Sequence, residues 1–183
     1  MKFRANFFLG VDPGAKGGAV ILDSDGTLMC VSRFDGQCPG RISAEVAGAA
    51  ARMAGPLGQV TIAIEKVGAA PGQGVASMFS FGVGLGLIKG WLAASGFQFL
   101  EVAPQSWQRV AVAEGETTKD RARALAASLW GLDPFIFAGC RVPHQGCIDA
   151  AGLAEYLRQT VTGLRPPIAA PKPKAKRKPT LKL

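Results

Sequence analysis

The sequence is poor in the features that mark secreted or membrane proteins. Its four cysteines, Cys30, Cys38, Cys140 and Cys147, are spread over 183 residues and make no dense disulfide framework, so reduced thiols in a cytoplasmic protein are the expectation. The apolar run near the N-terminus (residues 3–11) is too short for a signal peptide and leads into a motif rather than a cleavage site. No continuous run of about 18 apolar residues is present, so no membrane partner is expected. The single histidine, His144, restricts zinc chemistry. Cys140, His144 and Cys147 lie close in sequence, but their spacing fits no common closed site, and Cys38 would have to arrive from far away. There is no internal repeat.

Acidic residues are also scarce, 13 against 21 basic ones, but the imbalance is local. Residues 165–183 hold seven lysines and arginines and no acid, which leaves 14 basic and 13 acidic residues in the first 164. The expected organisation is a near-neutral folded domain over residues 1–164 and a Pro-, Ala- and Lys-rich extended tail over 165–183. A polyanion is the simplest partner for such a tail, and a merely solubilising end is the alternative. Hydrophobic residues make up 48% of the chain, enough for a core.

The remaining sequence alternates between two periods. Phe7–Val11, Ala19–Leu22 and Leu28–Arg33 read as three strands joined by Gly- and Asp-rich turns, an antiparallel meander. Ile42–Met53 has helical spacing, and Gln59–Ile64 is a buried strand. A long helical segment runs from the Pro71–Gly74 turn to Ala94, and Phe97–Val102 is a fifth strand. Helices are expected from Pro104 to about Val112, over Lys119–Trp130 and over Ile148–Thr160. The order predicts an α/β fold in which a mixed five-stranded sheet, a meander followed by parallel strands, is flanked by helices.

Three carboxylates interrupt apolar surroundings. Asp12 ends the first strand, Glu65 ends the fourth, and Asp149 sits in a run of small residues at the start of the last helix. Singly, Asp12 reads equally well as a turn residue and Asp149 as a charge favoured near a helix N-terminus. Together, acids in such settings need pairing or a cation, because burying a lone carboxylate is costly. Hard oxygen ligands suit Mg²⁺, with Mn²⁺ also plausible. Gly14, Gly17 and Gly18 are expected to let the chain turn and to leave room for a phosphodiester.

With these pieces in order, the sequence resembles the RuvC-type Holliday-junction resolvases, the RuvC-like enzymes of phages and prophages in particular. The matching segments are Gly10–Gly14 through Gly17-Gly18, Ile64-Glu65, Pro71–Gly74 with Ser77 and Phe81-Gly82, Val102–Trp107, Lys119, and His144–Ala150. The resemblance implies a ribonuclease-H-like fold, a homodimer in a bacterial or phage-infected cytoplasm, and two-metal hydrolysis of strands at a four-way DNA junction. Asp12, Glu65 and Asp149 would be the metal ligands. It departs at one place. Many relatives read His-Asp-Gly where this chain has His144-Gln145-Gly146, so a neutral amide stands four residues before Asp149, on the same helical face. His144 either reaches the catalytic centre from a loop or is a plain loop residue.

Around these acids, Lys119, Arg121, Arg123, Lys66 and Lys16 are candidate phosphate contacts, with a solvated helix face as the alternative for Arg121 and Arg123. Phe79 and Phe81 are either stacking platforms for unpaired bases or core residues. Gly82, Gly86 and Gly90 form a smooth stripe, either a dimer seam or a packing face within the chain. Rival readings are a catalytically weak junction-binding module and a ribonuclease H acting on RNA–DNA hybrids. A sugar-kinase or actin-like ATPase would need a second lobe and a second Asp-x-Gly turn.

Overall fold

The computed structural model describes residues 5–34, 38–54, 58–68, 72–108 and 118–164. The expected basic tail, the end of the helix that begins at Pro104 and the side chain of Lys119 lie outside the described residues. Strands β1 (Ala5–Asp12), β2 (Gly18–Leu22) and β3 (Leu28–Arg33) are followed by α1 (Pro39–Met53) and β4 (Gly58–Glu65). Then come α2 (Val75–Ala94), β5 (Phe99–Val102), α3 (Pro104–Gln108), α4 (Thr118–Trp130) and α5 (Gln145–Val161). Between α4 and α5 a short 3-10 turn spans Asp133–Phe135.

The sheet order is β3-β2-β1-β4-β5. β1 pairs antiparallel with β2, and β2 with β3, whereas β1 and β4, and β4 and β5, run parallel. This is the expected mixed five-stranded sheet flanked by helices. Side chains alternate across it, as a period of two requires. Leu9, Val11, Ile62 and Ile64 meet Ile42, Val46, Ile88 and Leu92 of α1 and α2 in one core. Phe8, Val20 and Ala63 meet Trp107, Ala122, Ala126, Ile148 and Leu157 of α3, α4 and α5 in the other.

Two helix starts differ from the sequence expectation. α1 begins at Pro39 rather than Ile42, with the proline in the first turn, where its missing N–H costs nothing. α5 begins at Gln145, with His144 as its N-cap, so Asp149 falls one turn inside the helix rather than in its first turn. The glycines after Asp12 also work differently than expected. None of Gly14, Gly17 and Gly18 has a positive φ. Gly17 pairs with Gly146 in an isolated parallel bridge. A Cβ on Gly146 would stand 2.2 Å from the Lys16 carbonyl oxygen, and one on Gly18 2.7 Å from Cys147 Sγ. The space at Gly18 is filled by the first turn of α5, while a Cβ on Gly17 would meet the Asp12 and Gly14 carbonyl oxygens of its own turn.

α2 corrects the expectation that no segment matches a membrane span. It has 20 residues and, among the described residues, is the one helix long and apolar enough to cross a membrane. Ile88 and Leu92 nevertheless anchor it in the core under α1 and the sheet. Lys89 pairs with Glu101 of β5 at 2.9 Å. Length and apolarity therefore coexist here with docking onto a domain, and the outer face is left uncovered.

Candidate active site

Strand register places the first two acids. Val11 pairs with Ile64, so one step further Asp12 and Glu65 end adjacent parallel strands. Asp12 also pairs with Gly18, and Gly18 with Arg33, while Glu65 pairs with Val102. One row therefore crosses the end of the sheet from Arg33 through Gly18, Asp12 and Glu65 to Val102. Alternation sends this row to the α5 face, because Phe8, Val20, Ala63 and Val102 point there. Asp149 arrives from α5, whose first turn is seated against Gly17 and Gly18.

Each carboxylate is held by a neutral donor. The Gly14 N–H donates to Asp12 Oδ1 at 3.1 Å. The indole Nε1 of Trp107 donates to Glu65 Oε1 at 2.9 Å. The Gln145 side-chain amide donates to Asp149 Oδ1 at 3.0 Å. Trp107 is a partner that the sequence reading did not assign, although it closes the Val102–Trp107 segment of the resemblance. Its ring lies on Gly152 of α5, where a Cβ would come within 2.9 Å, so β4, α3 and α5 all fix the position of Glu65.

The electrostatics join the three acids. Burial raises the Asp12 pKa, opposed by the Gly14 hydrogen bond and by the charge of His144. Glu65 is pushed up to about 7, first by burial and then by the charges of Asp12 and Asp149, against the Trp107 hydrogen bond. The donor set thus has the chemistry of a hard-cation site, namely oxygen ligands that repel one another and are short of water. As the side chains stand, no three His, Cys, Asp or Glu groups among the described residues are placed to hold a metal ion.

His144 is at the site, and in a defined role. Its Nδ1 accepts from the Cys147 backbone N–H at 3.3 Å, so in the neutral ring the proton sits on Nε2. Held this way, Nδ1 is not available to an ion. Among the candidate DNA contacts, Lys66 and Lys16 are exposed beside the acids. Arg123 is exposed on α4, whereas Arg121 is half-buried with its Nε enclosed and unpartnered among the described residues. Phe79 is 74% exposed, so it is not a core residue. Phe81 is half-buried and lines a cleft of about 520 Å³ with Pro13, Gly14, Ser77 and Ser80.

The pKa of Glu65 gives a pH prediction. A carboxyl whose folded pKa is raised binds its proton more tightly folded than unfolded, so stability falls as pH climbs from the usual carboxylate range through about 7. In chelator, the melting temperature is expected to drop between pH 5 and 7.5, and Glu65→Gln to remove the part of that drop that runs up to about 7. Parallel curves for the two proteins would contradict the assignment.

No family model matches the chain, and no curated protein matches it in sequence. Solved structures do. Thermus thermophilus RuvC in complex with a Holliday junction substrate superposes with a TM-score of 0.61 at 16% identity, covering 82% of this chain and 91% of that one. A second Thermus thermophilus RuvC structure gives a TM-score of 0.52 at 17% identity, over 86% of this chain and 96% of that one. The fold is therefore RuvC-like, a ribonuclease-H-like sheet with its acids at one end.

Proposed function

We propose that the chain is a divalent-metal-dependent, structure-selective endonuclease that hydrolyses phosphodiester bonds in Holliday junctions or other branched DNA, acting as a homodimer. The observation that carries this reading is the register that ends β1 and β4 side by side at Asp12 and Glu65, with Asp149 on α5, whose first turn is seated against the same end of the sheet. The fold is shared with a RuvC whose structure holds a Holliday junction substrate, which supports the same substrate class here. Asp12, Glu65 and Asp149 would hold Mg²⁺ or Mn²⁺, which when bound supplies water activation and stabilisation of the leaving oxygen. Trp107 and the Gly14 N–H orient two of the carboxylates. His144 caps α5 and so steadies the helix start that carries Asp149. Lys16, Lys66 and Arg123 are the exposed cations available to the DNA backbone, Lys119 and Arg121 being further candidates, and Phe79 is the exposed ring available to an unpaired base.

The test is nicking of synthetic four-way junctions against linear duplex and an RNA–DNA hybrid, with and without Mg²⁺. Junction-selective, Mg²⁺-dependent cutting supports the proposal, and preference for the hybrid would replace it with ribonuclease H activity. A junction-binding module of weak activity is favoured by one feature, the neutral Gln145 amide that occupies Asp149. Tight binding without cutting in Mg²⁺ or Mn²⁺ would establish that reading instead.

Symmetric cutting of two strands calls for two active sites, and α2 offers the seam. Nothing among the described residues lies within 4 Å of a Cβ built on Gly82, Gly86 or Gly90. The glycine stripe is not used for packing inside the described chain. Gly86→Leu is expected to convert a dimer to a folded monomer, read by sedimentation velocity and thermal melting. A variant that stays dimeric at micromolar concentration would rule out this seam.

A further inference from the structure

Trp107 stands between Glu65 and the helix that carries Asp149. β5 lies beside β4 with Val102 paired to Glu65, and just past that pair the Lys66 N–H donates to the Val102 carbonyl at 2.8 Å. Pro104 then opens α3, a helix of five residues, and the Ser106 N–H donates to the Ala103 carbonyl at 2.9 Å. One tight turn therefore carries the chain from the strand end to Trp107, whose Nε1 donates to Glu65 Oε1 at 2.9 Å. The opposite edge of the indole rests on α5. A Cβ added to Gly152 would stand 2.9 Å from Cζ3 and 3.2 Å from Cε3, atoms of the six-membered ring across from Nε1. Gly152 follows Asp149 by three residues, just under one helical turn. The indole is buried, and Asp149 is close enough to Glu65 for its charge to act on that carboxyl.

We propose that Trp107 is a positioning residue that sets the spacing between Glu65 and Asp149, and through it the size of divalent cation the acids accept. The inference rests on the metal-dependent reading given above and deepens it. A fused aromatic ring is rigid, so a contact at one edge is passed to the other without loss. The indole N–H donates and cannot accept, so it holds one Glu65 oxygen without offering a cation a rival ligand. At Gly152 the ring lies on the helix backbone rather than on a flexible side chain, so its width decides how near α5 stands to the end of β4. The choice of ion follows from that spacing. Mg²⁺ demands near-ideal octahedral geometry at about 2.0 to 2.1 Å, whereas Ca²⁺ accepts looser arrangements at about 2.3 to 2.6 Å.

The experiment follows Mn²⁺ binding to the DNA-free full chain by the electron paramagnetic resonance of the free ion, with Mg²⁺ and Ca²⁺ as competitors. Gly152→Ala keeps the indole N–H but adds a methyl group between ring and helix. It is expected to weaken Mg²⁺ roughly tenfold, the lower end for outer partners of metal ligands, and Ca²⁺ by less than about threefold. Trp107→Phe removes the N–H and narrows the ring, and is expected to weaken Mn²⁺ roughly tenfold. Nicking of a four-way junction by that variant should need correspondingly more Mn²⁺, most of the lost rate returning as the ion is raised. Each variant is read at a temperature where its melting curve shows it folded. A purely structural role would lower the melting temperature and leave ion binding alone. An unchanged Mn²⁺ affinity in Trp107→Phe, or an unchanged ratio of Mg²⁺ to Ca²⁺ affinity in Gly152→Ala, overturns the positioning role alone. A wild-type chain that binds no Mn²⁺ overturns the metal-dependent reading and the positioning role with it.

Discussion

Asp12→Asn is expected to lower Mg²⁺-dependent nicking of a four-way junction by at least roughly a hundredfold, the scale on which even the outer partners of metal ligands act. Junction affinity should change by less than about threefold, within the range of surface effects below one kcal/mol. The substitution is nearly isosteric, and an amide oxygen can still accept the Gly14 N–H that Asp12 Oδ1 accepts at 3.1 Å. What is lost is one negative charge at a buried position. That charge raises the Glu65 pKa and itself resists burial, so in chelator at pH 7.5 the variant should melt higher than the wild type. Opposite changes in activity and stability are the signature of a strained functional site, because residues retained for folding lose both together. A variant that cuts normally, or that loses stability along with activity, would show Asp12 to be an ordinary turn residue.

The sheet and its acids were legible in the sequence for a specific reason. Phe7–Val11 and Gln59–Ile64 are apolar runs that stop at a carboxylate, and a buried parallel pair has few other ways to end. Gln145 was legible too, since four residues is one helical turn and the amide does reach Asp149. The glycines serve two needs that look the same in one dimension: Gly17 closes the turn after Asp12, its N–H donating to the Gly14 carbonyl at 2.8 Å, while Gly18 makes room for Cys147 of α5. The pairing of Gly17 with Gly146 shows the second need. Trp107 passed unassigned because an indole in an apolar segment reads as core, which it is, at 2% exposure. Its one polar atom is spent on Glu65. Glu155, the other buried acid, belongs to the scaffold. Arg158 grips it with two bonds of 2.7 and 2.8 Å and Gln159 with a third at 2.6 Å.

Gly10→Ala should cost about 3 kcal/mol or more, at the upper end of overpacking penalties, and lower the melting temperature by roughly 6 to 12 °C for a chain of this size. A Cβ at this position would stand 2.1 Å from the Ala150 carbonyl oxygen and 2.6 Å from the Ala154 backbone nitrogen. Those are atoms of the α5 backbone, so no side chain can rotate away, and the helix must lift off β1. Ala150, Ala151, Gly152 and Ala154 make such close seating possible and are all fully buried, so the displaced contact cannot be recovered by repacking a flexible side chain. Asp149 lies between the two clashing turns of α5 and the N-cap at His144, and would move with them away from Asp12 and Glu65. Cleavage should therefore fall even below the temperature at which the variant unfolds. Gly48→Ala supplies the contrast, since among the described residues its added Cβ would meet just the flexible end of Arg52, Nη1 at 3.4 Å, and an alanine in a helix interior gains about 0.5 to 1 kcal/mol over glycine. If Gly10→Ala melted with the wild type and cut junctions at the same rate, α5 would not be held by backbone contact. The position of Asp149 beside the other two acids would then need a different cause.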